Sequence, residues 1–366
     1  MIRLTTPEIG DEEIAAVAAV LRSGYLVQGQ HVQAFEQRVA EAVGVRHAVA
    51  VSSGTAALHL ALLAAGIGRG DEVIVPDFTF PATANVVELV GARPVLVDID
   101  LATFNVDVAQ IRPAITRRTR AIMPVHLFGQ PADMEPILEL AAEHGLLVIE
   151  DAACALGAEY HGRRCGGLGN AGCFSFHPRK AITTGEGGMV VTDDERLAAR
   201  VRQLRNHGMA REGEAVRFVD AGFNYRLTDF QGALGAVQMG RLEEIIARRT
   251  CLAGLYHQAL AGLPGVTRPT TMDGTRHVWQ SYVILLDESV ERAAVMRTLA
   301  EAGIETTIGT YAVSAQPHYA SKAGRLPNSL YACERGLCLP LHTRMTEADI
   351  EEVVRWLERA VRHGGR

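Results

Sequence analysis

Residues 47–66, HAVAVSSGTAALHLALLAAG, join two different patterns. HAVAVSS is a short apolar run typical of a buried strand, and GTAALHLALLAAG is typical of a helix that stops at a glycine. Ser53, Gly54 and Thr55 stand where the strand gives way to the helix. The free N–H groups at such a helix start favour an anion, for example a phosphate. Capping of the helix by Ser53 or Thr55 alone is the alternative.

The same alternation of strand and helix continues along the chain. Apolar runs of strand length occur in DEVIVPD, ARPVLVDID, AIMPVHL, LLVIEDAA, GCFSFH and GGMVVTDD. Strands that alternate with helices indicate a mostly parallel central sheet covered by helices on both faces. After a long helical region the pattern changes to one strong strand, HVWQSYVILL, and amphipathic helices. We therefore predict an α/β protein with a large domain at 1–245, including an N-terminal helical segment, and a smaller C-terminal α/β domain at 246–366.

The composition is that of a folded, mildly acidic protein. The 366 residues carry a net charge of -6, and 48% are hydrophobic and 21% charged, which argues against disorder. No basic block suggests nucleic-acid binding, and no run approaches the ~20 apolar residues of a membrane span. The N-terminus lacks an apolar signal core, so we expect a cytoplasmic protein without nucleic-acid or membrane partners. The six cysteines show no CxxC pair, so no metal site is predicted.

The distribution of lysine singles out one residue. Lysine occurs only at 180 and 322, and arginine supplies the other long basic side chains. Arginine stays protonated, whereas a lysine amine can lose its proton and attack a carbonyl. Lys180 lies in FSFHPRKAITTGEGG, residues 174–188, just before small and flexible residues, while Lys322 is typical of a loop. We predict that Lys180 is present for its amine; chance placement is the alternative.

Three other residues at strand ends suit a common site with this lysine. Asp151 ends an apolar strand, at the edge where open α/β sheets bind ligands, and could pair with a cationic ring nitrogen or cap a turn. Phe80 could stack on a flat ligand or pack in the core, and Ser175 could bind a phosphate or be an ordinary strand serine. A phosphate cradle, a stacking ring, an acid and an amine together fit pyridoxal 5′-phosphate.

A second glycine motif has a different interpretation. GLGNAG, Gly167 to Gly172, fits the spacing G-x-G-x-x-G. In dinucleotide-binding folds this motif follows a strand and opens a helix. Here a predicted strand, CFSFH, follows it, so we expect a loop between strands and disfavour a nicotinamide enzyme.

With these motifs in place, the chain resembles the DegT/DnrJ/StrS family of sugar aminotransferases. These proteins are PLP-dependent and have the fold-type-I architecture of the aspartate aminotransferase superfamily. The resemblance extends over nearly the whole chain. It is carried by LRSGYLVQGQHVQAFE, HAVAVSSGTAALHLAL, DEVIVPDFTFPATANVV, VDIDLATFNVD, PVHLFGQPADM, VIEDAACALGA, FSFHPRKAITTGEGGMVVT, RNHG, GFNYRLTDFQGALGAVQ and LPLH.

The resemblance implies a role for each candidate residue. Lys180 matches the Schiff-base lysine, and Asp151 matches the acid at the pyridine nitrogen. Phe80 falls where the family stacks an aromatic side chain on the ring. The implied phosphate contacts are Gly54, Thr55 and Ser175, with a backbone N–H from Ala56.

Further implied roles concern the ring hydroxyl and the partner subunit. Cys154 stands near the cofactor's ring hydroxyl, where relatives often have glutamine or histidine; because cysteine bonds weakly, we expect a changed cofactor or substrate environment. Asn224 matches an asparagine that reaches the phosphate in the neighbouring subunit, which implies a homodimer with shared active sites. Candidate substrate residues are His177, Arg179, Tyr311 and His318.

The implied reaction moves an amino group from L-glutamate to a keto sugar, with a nucleotide-linked sugar as the first expectation. The mechanism is ping-pong, with pyridoxamine 5′-phosphate as the intermediate form of the cofactor. One family branch replaces the lysine with histidine and dehydrates sugars, so Lys180 favours transamination. The alternatives are amination of a cyclitol ketone, dehydration with the same cofactor, and a non-enzymatic regulator on this fold.

Overall fold

The structure is a computed structural model that describes residues 1–213, 215–320 and 324–363; Lys322 lies outside the described residues. The described chain forms helices α1 Asp11–Ser23, α2 Gln30–Val43, α3 Gly54–Ala64, α4 Ala82–Leu89, α5 Val108–Ala114, α6 Met134–His144, α7 Glu195–Leu204, α8 Asp229–Gly240, α9 Leu242–Ala259, α10 Arg292–Glu301, α11 Pro327–Arg335 and α12 Glu347–His363. Two short 3-10 helices cover Leu127–Gly129 and Val313–Ala315.

Its strands are β1 His47–Val51, β2 Glu72–Pro76, β3 Phe78–Thr79, β4 Arg93–Val97, β5 Thr119–Ile122, β6 Leu147–Asp151, β7 Glu159–Tyr160, β8 Arg163–Arg164, β9 Ala171–Ser175, β10 Gly188–Thr192, β11 Met209–Glu212, β12 Ala215–Phe218, β13 Val266–Thr267, β14 Thr275–Arg276, β15 Tyr282–Leu286, β16 Thr307–Ile308, β17 Tyr311–Ala312 and β18 Gly336–Leu339. The strand predicted after the glycine motif is β9, and the long helical region predicted before the change of pattern is two helices, α8 and α9.

Seven strands form the central sheet in the order β1-β10-β9-β6-β5-β2-β4. The pairs between β4, β2, β5, β6 and β9 are parallel, and β10 pairs antiparallel with both β9 and β1. This arrangement confirms the predicted mostly parallel sheet. Parallel strands bring their carboxyl ends to one edge, so the residues that follow β2, β5, β6 and β9 meet there.

Helices cover both faces of this sheet because its strands are apolar on both sides. Along β1, Ala48 and Ala50 belong to one core cluster, whereas Val49 and Val51 belong to the other. This period of two is the pleat of a strand, and it explains why the run HAVAV has no polar face. Residues of α2, α6 and α8 pack on the first face, and residues of α3, α4 and α7 pack on the second.

A second, smaller sheet contains β13, β15, β18 and β16, all paired antiparallel. Helix α9 runs through the domain boundary predicted at residues 245/246. Leu242 and Ile245 near its start belong to a core of the large sheet, while Leu252 and Tyr256 further along belong to the core of the small one. The helix therefore connects the two cores as one continuous element.

The two sheets also meet through a separate apolar cluster. Phe78 and Phe128 from the large sheet side pack in it with Val283 and Leu285 of β15 and with Cys338 of β18. Strand β17 pairs with β3 and so brings the second half of the chain to the end of β2. The carboxyl edge of the large sheet is therefore enclosed by both halves of the chain.

The loop 166–169, which includes the start of the GLGNAG motif, binds the carboxylate of Glu150. Glu150 is completely buried, and its two oxygens accept the N–H groups of Gly166 (2.6 Å), Leu168 (2.7 Å) and Gly169 (2.7 Å). Nε2 of His126 lies 2.9 Å from the same carboxylate, while Nδ1 accepts the N–H of Ala132 at 2.9 Å. The histidine therefore donates from Nε2, and the loop closes on the end of β6 as a structural element.

The described residues contain no helix long and apolar enough to cross a membrane. Nor do three or more His, Cys, Asp or Glu side chains come together there in a way that could hold a metal ion. All six cysteines are free.

We expect Glu150→Gln to lower the free energy of unfolding by about 2 kcal/mol or more, because one amide oxygen cannot serve donors on both sides of the carboxylate. Denaturant titration of the purified variant measures the change. Glu143→Gln is the control, since Glu143 is an exposed acid paired with Arg112. Equal midpoints for the wild type and Glu150→Gln would contradict the structural role of Glu150.

Candidate active site

A cavity of about 510 Å³ lies at the carboxyl edge of the large sheet. It collects side chains from distant parts of the chain. Nine of the residues selected from the sequence line it: Gly54, Thr55, Phe80, Asp151, Cys154, Ser175, His177, Arg179 and Lys180.

The start of α3 forms one wall of the cavity. Ser53 Oγ caps this helix by accepting the N–H of Ala56 at 3.0 Å, so the Ala56 N–H has a partner within the chain. A Cβ atom on Gly54 would lie 2.8 Å from Cβ of Ser175, and one on Gly188 would lie 2.2 Å from the Ser53 carbonyl oxygen. Only glycine fits at either position, because the backbone segments meet without space for side chains. The first N–H groups of α3 are thereby brought to the cavity wall.

Asp151 places a buried carboxylate at the end of β6. It is 5% exposed, and it accepts hydrogen bonds from Thr83 Oγ1 (2.8 Å) and from the N–H of Ala153 (3.2 Å). Burial raises the pKa of Asp151 above its usual range, although these hydrogen bonds and the charge of Lys180 act in the opposite direction. A cation placed beside this carboxylate would offset the cost of burying it.

Lys180 follows a tight turn at the end of β9. Its N–H donates to the carbonyl of His177 at 2.9 Å, with Pro178 in the second position of the turn, which proline favours. The side-chain amine Nζ donates to Cys154 Sγ at 3.0 Å. The structure thus gives Cys154 a direct contact with Lys180, which the sequence did not predict. Burial lowers the pKa of His177, against the opposing charge of Glu186.

Phe80 and Tyr311 lie side by side at this edge. Phe80 is 62% exposed and Tyr311 39% exposed, and their ring centroids are 6.3 Å apart in an edge-on arrangement. Phe80 lines the cavity, whereas Tyr311 is outside its lining. Two exposed aromatic rings of this kind offer flat apolar surface to a ligand.

Three other selected residues lie outside the cavity lining. Ala56 is occupied in the helix cap, and His318 is paired with Glu88 of α4. Asn224 is exposed, its backbone pairs with Asn206, and it does not line the cavity. The structure therefore does not bring these residues to the cavity of their own chain.

Several residues that line the cavity were not predicted from the sequence. Thr83 on α4 bonds the buried acid, and Gln280, Ser281, Gly309 and Thr310 close the cavity from the second half of the chain. They carry no periodic or motif signal, since only the tertiary fold brings them near Lys180. Gly309 and Thr310 nevertheless lie directly before Tyr311, which the sequence analysis expects near the substrate.

The residues of this cavity fit pyridoxal 5′-phosphate. The glycine-walled start of α3 suits a phosphate, and Asp151 suits a cationic ring nitrogen. Phe80 suits the face of an aromatic ring, and Lys180 provides an amine for an aldehyde.

Comparison with known proteins agrees with this geometry. The sequence model of the DegT/DnrJ/EryC1/StrS aminotransferase family matches residues 7–358. The chain is 48% identical over 337 residues to GDP-perosamine synthase of Caulobacter vibrioides (91% of both chains) and 42% identical over 365 residues to the spore coat polysaccharide biosynthesis protein SpsC of Bacillus subtilis (95% of this chain, 94% of SpsC). The solved structure of Spr1654 from Streptococcus pneumoniae in its PLP form has a TM-score of 0.94 at 27% identity, covering 98% of both chains. The chain belongs to the DegT/DnrJ/EryC1/StrS aminotransferase family.

Proposed function

We propose that this protein is a PLP-dependent aminotransferase that moves an amino group from L-glutamate to a nucleotide-linked keto sugar. The observation that carries the proposal is the placement of Lys180, Asp151 and the glycine-walled start of α3 around one cavity. Bound pyridoxal phosphate would supply an aldehyde and a ring that accepts electrons. Family membership supports the same reaction class.

Each of the proposed site residues has surroundings that suit its proposed role. The start of α3, with Ser175, would hold the phosphate, and Phe80 would cover the ring. Asp151 would keep the ring nitrogen protonated, because a buried carboxylate gains most from a neighbouring cation. Lys180 Nζ would first hold the cofactor and then, once released, take the proton from Cα of the amino donor. Cys154 Sγ lies where it can accept a hydrogen bond from that free amine.

The relatives and the open site support a nucleotide-linked keto sugar as the acceptor. GDP-perosamine synthase is named for an amino sugar linked to GDP, so a GDP-linked keto sugar is the first acceptor to test. His177, Arg179 and Thr310 line the cavity and would contact such a substrate. A cyclitol ketone and sugar dehydration are the competing outcomes of the same test.

We also propose a homodimer in which Asn224 serves the cofactor of the partner subunit. Asn224 is exposed and lies outside the cavity of its own chain. Tyr25 and Val27 are 82% and 67% exposed, and between them the Leu26 carbonyl accepts the N–H of Asp229 at the start of α8. Exposed apolar side chains on a segment fixed in this way suit burial against a second copy.

The visible absorption spectrum tests the reaction directly. We expect the PLP-loaded protein to lose its yellow band on addition of L-glutamate and to regain it with a GDP-linked keto sugar, or with another member of a nucleotide-sugar panel. Lys180→Ala should reduce turnover at least about 1,000-fold with the fold intact, and Lys322→Ala should behave as wild type. Near-normal turnover by Lys180→Ala would refute the assignment.

Mixing two inactive variants tests the shared site. We expect Lys180→Ala and Asn224→Ala to have little activity separately, whereas their mixture, unfolded and refolded together, should regain activity. A mixed dimer places both substitutions at one site and leaves the other site intact. Refolding each variant alone is the control. No recovery in a mixture shown by mass to contain mixed dimers would rule out the role of Asn224.

The raised pKa of Asp151 gives a pH-dependent prediction. The unliganded fold favours the protonated form of Asp151. The stability that Asp151 contributes to the fold is therefore complete below the unfolded pKa of about 3.9 and declines as pH rises. We expect unliganded Asp151→Asn to melt at a higher temperature than wild type at pH 7, with the difference shrinking toward pH 4. Added PLP should stabilise the wild type more than the variant. Identical melting at pH 7, with and without PLP, would contradict this account.

A further inference from the structure

Gln280 joins the second half of the chain to the backbone next to Lys180. Its Nε2 donates to the carbonyl oxygen of Arg179 at 2.9 Å. That carbonyl belongs to the peptide bond between Arg179 and Lys180. Gln280 lines the cavity and is only 9% exposed, so water competes little for this bond.

Within the turn before Lys180 the two N–H groups already have partners, and the carbonyl of Arg179 is held by Gln280. The N–H of Lys180 bonds the His177 carbonyl, and the N–H of Arg179 bonds His177 Nδ1 at 3.2 Å. These bonds fix the N–H side of the turn. Rotation of the Arg179–Lys180 peptide would swing the long lysine side chain, and the bond from Gln280 opposes that rotation.

The backbone that carries Gln280 is itself held firmly. Arg249 is 3% exposed, and its Nη1 donates to the carbonyls of Trp279 and Gln280, each at 3.2 Å. Trp279 has a φ of 50° and stacks on His277 with centroids 3.8 Å apart. On the other side, a Cβ atom on Gly129 would lie 3.0 Å from the backbone nitrogen of Gln280. The backbone around Gly129 is therefore in close contact with the backbone around Gln280.

We propose that Gln280 is a positioning residue that sets the placement of the Lys180 amine. The inference rests on the proposed function, because it concerns how fast that amine captures the aldehyde of pyridoxal phosphate. A bond from the segment just before β15 to the lysine peptide makes the position of the amine depend on the second half of the chain. Misplacement of a reacting group by about 1 Å can cost about 100-fold in rate.

The test separates positioning of the amine from general damage to the cavity. Gln280→Met keeps the side-chain length and removes the donor. Pyridoxamine phosphate has the cofactor's phosphate and ring but no aldehyde, so its affinity reports the cradle alone. The rate at which visible absorbance develops on mixing cofactor-free protein with pyridoxal phosphate reports capture by Lys180. Gln316→Met is the matched control, because Gln316 Nε2 also donates to a backbone carbonyl, that of Ala312.

We expect Gln280→Met to capture pyridoxal phosphate about 10-fold to 100-fold more slowly than wild type. Its affinity for pyridoxamine phosphate should stay within about two-fold of wild type. Its melting temperature should stay within a few degrees of wild type. Gln280→His, whose ring can donate, should recover part of the rate. Gln316→Met should match wild type in each measurement.

Other results would overturn the proposal. A capture rate within two-fold of wild type in folded Gln280→Met would show that the bond does not position the amine. An equal loss of capture rate and of affinity for pyridoxamine phosphate would assign Gln280 to the general structure of the cavity. If wild-type protein binds pyridoxamine phosphate but never captures pyridoxal phosphate, the proposed function itself fails, and this role fails with it.

Discussion

The buried carboxylate of Glu150 is the constraint on which the functional edge of the sheet depends. A charge without exposure to water requires donors, and the chain supplies three backbone N–H groups and His126. Those donors bring the glycine loop 166–169 onto the end of β6. Side chains alternate along a strand, so fixing Glu150 on one side directs the neighbouring Asp151 to the opposite side, where the cavity lies.

Local sequence patterns predicted the layered fold and much of the cavity. The change from strand to helix at residues 47–66, the acid at the end of β6 and the lone lysine at 180 are signals within single segments, and parallel strands gather such ends at one edge. Thr83 and Gln280 had no such signal, since their importance comes from partners 68 and 101 residues away along the chain. The contact between Cys154 and Lys180 is of the same kind.

Both halves of the chain contribute to the cavity, and the residues that they contribute differ in kind. The large sheet provides the groups that suit the cofactor, namely the start of α3, Asp151 and Lys180. The second half provides Gln280, Ser281, Gly309 and Thr310, which face the same space. Substitutions in the second half can therefore change the shape of the cavity without altering the start of α3.

Helix α9 has a mechanical consequence. Its 18 residues form a rod about 27 Å long that is embedded in one core at its start and in the other further along. A helix anchored in both cores is a rigid connection between the two halves of the chain, unlike a flexible linker. Relative motion of the two halves is then confined to small twisting or bending about the axis of α9, which preserves the shape of the cavity that both halves line.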